Sequence, residues 1–136
     1  MKNYSVFILS FILLFNCSPD DSSDSSFVND FTIEMDENPT ENQLIGTIPY
    51  EADSGQYIAF SILSQTVQNA IYNQSAGGVD SRLFVNNPLL FDFETHPVIK
   101  VIVKVNKVRL HLDFVTYDIL DTKTITVTIN LNDLPD

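Results

Sequence analysis

The chain has 136 residues, 7 of them basic and 18 acidic, so its formal net charge is −11. This length allows one domain after removal of a targeting segment, and about 100–110 residues can fold without disulfides. The acidic balance argues against nucleic acid and anionic lipid as partners, because both attract clustered Lys and Arg. The single cysteine excludes an intramolecular disulfide.

The N-terminus reads as an export signal. Residues 6–15 form an apolar run after Lys2, with the length of a signal-peptide core and too short to span a bilayer. The run leads into Leu14-Phe15-Asn16-Cys17, which resembles the bacterial lipobox, although Phe15 and Asn16 replace the small residues usual there. The resemblance implies a signal peptide over 1–16 and a lipid on Cys17. The alternative is an ordinary secretory signal with an accidental cysteine.

A Ser- and Asp-rich segment follows the cysteine. Its composition cannot build a core, which predicts a flexible tether over 17–30 that holds a domain over 31–136 off the membrane. Acidic residues directly after a lipidated cysteine also resemble signals that send some Gram-negative lipoproteins to the outer face. We therefore expect a lipid-anchored location at the outer membrane or cell surface, with a plain linker as the equal alternative for this segment.

The remaining sequence has the period of strands. Over the whole chain, ten Phe, five Tyr and many Val, Ile and Thr residues favour sheets. Apolar residues alternate with polar ones, as in Ile99, Val101 and Val103 against Lys100 and Lys104. Turn residues separate the strands, and the number of strands favours a two-sheet sandwich. The predicted strands lie near 31–35, 44–50, 57–63, 70–73, 82–85, 98–105 and 123–131.

The alternation of apolar and polar residues changes phase at the end of the sixth predicted strand. The apolar alternation shifts between Val105 and Val108, after which Val108, Leu110 and Leu112 continue it. A bulge or tight turn at Asn106-Lys107 would produce this shift. The stretch 108–121 is the most ambiguous part of the domain, and lengthening of the last hairpin is one reading of it.

Four short segments, in order, resemble a cadherin-type repeat. They cover the body of the chain over 31–136, and the resemblance implies an all-β, seven-stranded Greek-key β-sandwich of the cadherin/immunoglobulin type that serves in adhesion. The segments are Asp36-Glu37-Asn38-Pro39 with Gly46-Thr47-Ile48, Glu51-Ala52-Asp53-Ser54-Gly55 with Ile58-Ala59-Phe60-Ser61-Ile62, Phe91-Asp92-Phe93-Glu94-Thr95, and Val127-Thr128-Ile129-Asn130-Leu131-Asn132-Asp133.

The resemblance also implies a calcium site. Ca²⁺ takes six to eight oxygen ligands, so carboxylates from separate loops must converge on it. The alternation in residues 91–94 would point the two carboxylates to one side and the two rings to the other. Leu134 stands where the family has a polar ligand, so we expect an incomplete set of ions. The residues carried over as ligands are Glu37, Asp92, Glu94, Asn132 and Asp133.

The opposite pole differs from the family pattern. Glu51 and Asp53 match acidic positions of a second half-site, but Lys107 stands where a third acidic residue is usual. A cation at that position would repel Ca²⁺. We therefore expect this pole to bind no metal.

No pattern in the sequence points to catalysis. His96 and His111 lack a second His or Cys at zinc spacing, and there is no G-x-S-x-G nucleophile motif. We expect a binding module with Ca²⁺ and a protein or glycan on a surface as partners, rather than an enzyme. The alternatives are a metal-free immunoglobulin-like spacer and a glycan-binding accessory lipoprotein, which the absence of Trp disfavours.

Overall fold

A computed structural model describes residues 26–75 and 78–135. The predicted signal peptide 1–16, Cys17 and the tether up to residue 25 lie outside the described residues. No helix among the described residues is long and apolar enough to cross a membrane. The strands are β1 (Phe31–Asp36), β2 (Leu44–Thr47), β3 (Gln56–Gln65), β4 (Ile71–Tyr72), β5 (Arg82–Val85), β6 (Val98–Leu110) and β7 (Tyr117–Asn132), with a 3-10 turn at Pro88–Leu90.

The strands form two sheets of a Greek-key sandwich, as predicted. The larger sheet has the order β1-β7-β6-β3 and the smaller one β2-β5-β4. Strand β1 pairs with β7 in parallel, whereas the other strand pairs are antiparallel. All seven predicted strands are present, which confirms the all-β class.

The core lies between the two sheets and follows the alternation in the sequence. On β6 the side chains of Ile99, Val101 and Val103 are completely buried, while the residues between them are exposed. Phe60 from β3 and Phe91 from the loop before β6 are the largest fully buried side chains. Burial of a side chain of this kind contributes about 1.5–3 kcal/mol, so the alternating apolar faces drive the packing of the two sheets.

The domain begins earlier than the predicted boundary at residue 31. Phe27 and Val28 are buried in the core, Val28 bridges Tyr50, and the backbone N–H of Glu51 donates to the carbonyl of Phe27 at 2.8 Å. Two apolar residues after a polar run were too short a signal to separate them from the predicted tether 17–30. These residues therefore belong to the domain.

The last hairpin is longer than the predicted strands 98–105 and 123–131. Strands β6 and β7 stay paired as far as Leu110 and Tyr117, with a register shift between Lys107 and Val108 that confirms the predicted bulge. Val108 is buried, but the predicted alternation ends there, because Leu112 lies in the connecting turn and is 96% exposed. The hairpin tip thus exposes Leu112, which the alternation in the sequence placed in phase with Val108.

Asp80 organises the chain just before β5. Its backbone N–H donates to the carbonyl of Ile58 at 3.1 Å, and its carboxylate accepts the backbone N–H groups of Ser81 and Arg82. The Arg82 side chain also donates to it at 2.9 Å. Burial by itself raises the pKa of Asp80, but the hydrogen bonds from the Arg82 side chain and from the two backbone groups outweigh burial and lower the pKa.

Replacement of Asp80 should weaken the fold and reduce its acid sensitivity. Asp80→Ala leaves two backbone N–H groups without their acceptor, which costs about 1–3 kcal/mol of unfolding free energy at neutral pH. Because the folded pKa lies below the ordinary value of 3.8, this contribution is present above that value and is lost as the pH falls through the folded pKa. Urea denaturation at neutral pH and below pH 3.8 measures both effects. A difference between wild type and variant that did not change with pH would contradict this role of Asp80.

Candidate metal centre

Glu37 lies directly after β1, where the backbone turns across the end of the larger sheet. Its N–H donates to the carbonyl of Asn132 at 3.2 Å, and the N–H of Asn38 donates to the carbonyl of Phe91 at 2.9 Å. Asn38 has a φ of 55°, a left-handed conformation that Asn adopts more readily than most residues. This turn carries Glu37 between the end of β7 and the loop before β6.

Residue Glu37 is only 5% exposed, and backbone N–H groups donate to its carboxylate. One oxygen accepts the N–H of Phe93 at 3.1 Å, and the other accepts the N–H of Leu134 at 2.9 Å. Each carboxylate oxygen has two lone pairs, so both can still accept a metal ion. Glu37 therefore joins three chain segments and keeps coordination capacity.

The segment containing Asp92 and Glu94 is a turn and not the extended stretch assumed from its alternation. The carbonyl of Asp92 accepts the N–H groups of Thr95 at 3.2 Å and His96 at 2.7 Å. The Asp92 carboxylate accepts the N–H of Glu94 at 3.2 Å and the hydroxyl of Thr95 at 2.6 Å. Asp92 thus caps its own turn, a geometry that a period-two pattern does not reveal.

Three of the predicted ligands come together. One carboxylate oxygen from each of Glu37, Glu94 and Asp133 lies within 4.8 Å of the others. Ligands that share a calcium ion at 2.3–2.6 Å are at most about 5 Å apart. The three oxygens therefore have a spacing that one Ca²⁺ ion fits, with three different chain segments each supplying a ligand.

The other two predicted ligands lie beside this group. Asp92 adjoins it because its carboxylate accepts the backbone N–H of Glu94 at 3.2 Å. Asn132 precedes Asp133, and its side-chain amide donates to Asp36 at 3.1 Å. Neither belongs to the three-carboxylate group, so they flank the site.

The carboxylates of the group repel each other. The Glu94 backbone N–H lowers the pKa of Glu94, but the hydrogen bond with Asp92, desolvation and the charges of Glu37 and Asp92 raise it above its ordinary value. The hydrogen bond from Thr95 is the main cause that lowers the pKa of Asp92. Among residues 26–75 and 78–135, the close contacts between basic and acidic side chains are Arg82–Asp80 and His111–Asp118, and neither reaches the group. Its negative charge has no basic side chain to balance it within this part of the chain.

The opposite pole contains a cleft of about 310 Å³ that brings Lys107 near Glu51 and Asp53. The Lys107 ammonium lies 5.3 Å from the centre of the Phe27 ring, a distance at which a cation is attracted to the face of an aromatic ring. A protein cation thus lies at the second acidic half-site.

The sequence did not reveal the groups that hold Glu37. The N–H of Phe93 and the N–H of Leu134 are backbone donors, which any residue except proline supplies. Leu134 stands where the family pattern has a polar ligand, yet its backbone N–H orients the buried carboxylate of Glu37. A backbone donor leaves no trace in a side-chain pattern, so this role could not be predicted.

The described fold is cadherin-like. Neither a protein-family profile nor a curated protein matches the chain. Solved structures do match: the protocadherin gammaB7 EC3-6 cis-dimer has 11% identity and a TM-score of 0.55 over 78% of this chain and 22% of that one. The human desmocollin-1 ectodomain has 18% identity and a TM-score of 0.56, over 77% of this chain and 19% of that one. Human protocadherin-24 EC1-2 has 12% identity and a TM-score of 0.54, over 79% of this chain and 52% of that one. The chain thus spans about a fifth to a half of these proteins.

Removal of one charge from the group should stabilise the metal-free protein. The raised pKa of Glu94 means that its ionised form is unfavourable in the folded state, so stability is lost as the pH rises through the folded pKa. In chelator at neutral pH, Glu94→Gln should therefore raise the midpoint of urea denaturation. Glu41→Gln, which removes an exposed charge outside the group, should change it little. A lower midpoint for Glu94→Gln in chelator would show that the ionised side chain stabilises the fold.

Proposed function

We propose that this protein is a bacterial cell-surface lipoprotein whose cadherin-like domain binds calcium and serves in adhesion. The observation that carries the proposal is the group of Glu37, Glu94 and Asp133, in which three chain segments bring oxygens to calcium-ligand spacing. Asp92 and Asn132 would complete the surroundings of the ion, with water and backbone carbonyls as the remaining oxygen ligands.

The charge of the group supports a bound cation. Folding brings the Glu37, Glu94 and Asp133 carboxylates together without a basic partner among the described residues. A divalent ion would convert their repulsion into attraction and would attach the end of β7 to the loop before β6. In this proposal calcium stabilises the domain and makes its outer pole rigid.

The two ends of the domain suit a surface adhesin. Ser26 contacts Lys123 near the middle of β7, whereas Asn132 at the C-terminal end of β7 adjoins the carboxylate group. A lipid on Cys17 would therefore hold the chain by one pole and present the calcium pole to a protein or glycan partner. A binding module of this kind needs no catalytic group.

Calcium should raise the melting temperature of residues 18–136, the mature chain without the lipidated Cys17. A ligand at 100 times its dissociation constant adds about 2.7 kcal/mol, which for a domain of this size corresponds to roughly 10–20 °C. The increase between chelator and millimolar calcium should disappear in Glu94→Gln and remain in Glu41→Gln.

An unchanged melting temperature would instead support the second candidate, a metal-free spacer. The specific observation that favours this candidate is the Glu37 carboxylate, which two backbone N–H groups already stabilise without a metal. In that case magnesium, calcium and chelator would give the same melting curve, and the carboxylates would have a structural role alone.

Cys17 should be required for membrane attachment. In the proposed lipoprotein, Cys17→Ser removes the sulfur that carries the lipid, so the protein should leave the membrane fraction. Cell fractionation measures its location, and mass spectrometry of the mature N-terminus measures the added acyl groups. Ser26→Ala, which lies outside the lipobox, is the control and should stay in the membrane fraction. An unmodified wild-type chain in the soluble fraction would contradict the anchor.

A further inference from the structure

The hairpin tip, residues 111–116 between β6 and β7, is an apolar extremity of the domain. Leu112 is 96% exposed, and Phe114 and Val115 are each 79% exposed. Single exposed apolar residues are common on protein surfaces, but contiguous ones indicate an interaction surface. Three exposed apolar side chains within four residues at the end of a hairpin therefore indicate a surface that binds a partner.

Four backbone N–H groups of the tip already have partners inside it. The N–H of His111 donates to the carbonyl of Thr116 at 2.9 Å, and the N–H of Phe114 donates to the carbonyl of His111 at 3.0 Å. The Asp113 carboxylate accepts the N–H groups of Val115 and Thr116, each at 3.0 Å. Loss of water around a loop costs less when its backbone is hydrogen-bonded internally. The tip can thus enter a less polar surrounding without leaving these groups unpaired.

The tip projects from the pole at which the described chain begins. Ser26 contacts Lys123, and Phe27 lies beside Lys107. From Lys107 the hairpin continues for five residues to Leu112, about 17 Å at the rise of an antiparallel strand. The tip therefore lies beyond the level of Ser26, at the end of the domain away from the carboxylate group.

The segment that precedes Ser26 has a matching length. Nine residue steps separate Cys17 from Ser26, which gives an average reach of about 16 Å for a flexible chain and a maximum of about 31 Å when extended. If Cys17 carries a lipid, the average reach from the membrane to Ser26 is therefore close to the length over which the hairpin continues past Lys107.

We propose that the hairpin tip inserts Leu112, Phe114 and Val115 into the interface of the membrane that carries the lipid anchor. This inference rests on the proposed lipid on Cys17 and is independent of calcium. A second, protein-borne contact would fix the tilt of the domain, since the predicted tether would by itself leave the domain free to rotate. The contact is apolar, so it is compatible with the acidic charge of the chain.

The charged groups of the tip limit how deeply it enters. The backbone hydrogen bonds from Thr116 and Val115 are the main causes that lower the pKa of Asp113 to about 2, so its carboxylate stays ionised at neutral pH. The Nε2 atom of His111 lies 3.0 Å from a carboxylate oxygen of Asp118 at the base of the tip. These groups favour a position at the headgroup boundary over the hydrocarbon centre.

A single tryptophan tests the contact, because the chain contains none of its own. Leu112→Trp is introduced into the full lipidated chain and reconstituted into zwitterionic phosphatidylcholine vesicles. The tryptophan emission should shift to shorter wavelength relative to the same variant without the lipid on Cys17 in detergent-free solution. Brominated phosphatidylcholine in the vesicles should quench this emission. Leu63→Trp is the matched control, since Leu63 is an exposed leucine on β3 near the other pole, and its emission should not respond to either.

The outcomes separate this proposal from the anchor on which it rests. Mass spectrometry that shows an acylated Cys17, together with an unshifted and unquenched Leu112→Trp emission, would overturn the tip contact alone. A chain without acyl groups would overturn the anchor and the tip contact together. A blue shift that depends on protein concentration and resists brominated lipid would overturn the membrane contact in favour of association between copies of the chain.

Discussion

The buried carboxylate of Glu37 is the interaction on which the pole with the three-carboxylate group depends. Its two oxygens accept N–H groups from the loop before β6 and from the segment after β7, while its own N–H donates to the end of β7. Burial of a charged group is costly unless such partners are present. Glu37 therefore determines where Phe93 and Leu134 lie, and with them the positions of Glu94 and Asp133.

This arrangement combines stability with unfavourable charge. Backbone hydrogen bonds compensate Glu37, but Glu94 has a raised pKa and lies beside other carboxylates. The fold thus holds oxygens in a position that is unfavourable without a cation. Such prior positioning lowers the entropy lost when a ligand binds, and the affinity of a calcium site depends on the number of charged ligands it offers.

The sequence predicted the sandwich because its strands have one buried and one exposed face, as on β6 and in the part of β7 that covers the core. The prediction from the sequence was wrong where a local hydrogen bond, or the absence of a second layer opposite the strand, determined the structure. Asp92 forms a capped turn instead of continuing an alternation, and Leu112 is exposed in spite of its phase. The site was predicted only as far as its carboxylates, since the backbone donors to Glu37 have no sequence signature.

The parallel pairing of β1 with β7 determines how the domain would respond to mechanical load. The two strands are paired from Phe31 with Val127 to Asp36 with Asn132. A force that pulls the start of β1 away from the end of β7 acts along both strands, and inter-strand hydrogen bonds lie across that direction. Those bonds are loaded together in shear rather than one after another. This strand pair is thus a mechanical clamp between the end at which β1 begins and the end that adjoins Glu37.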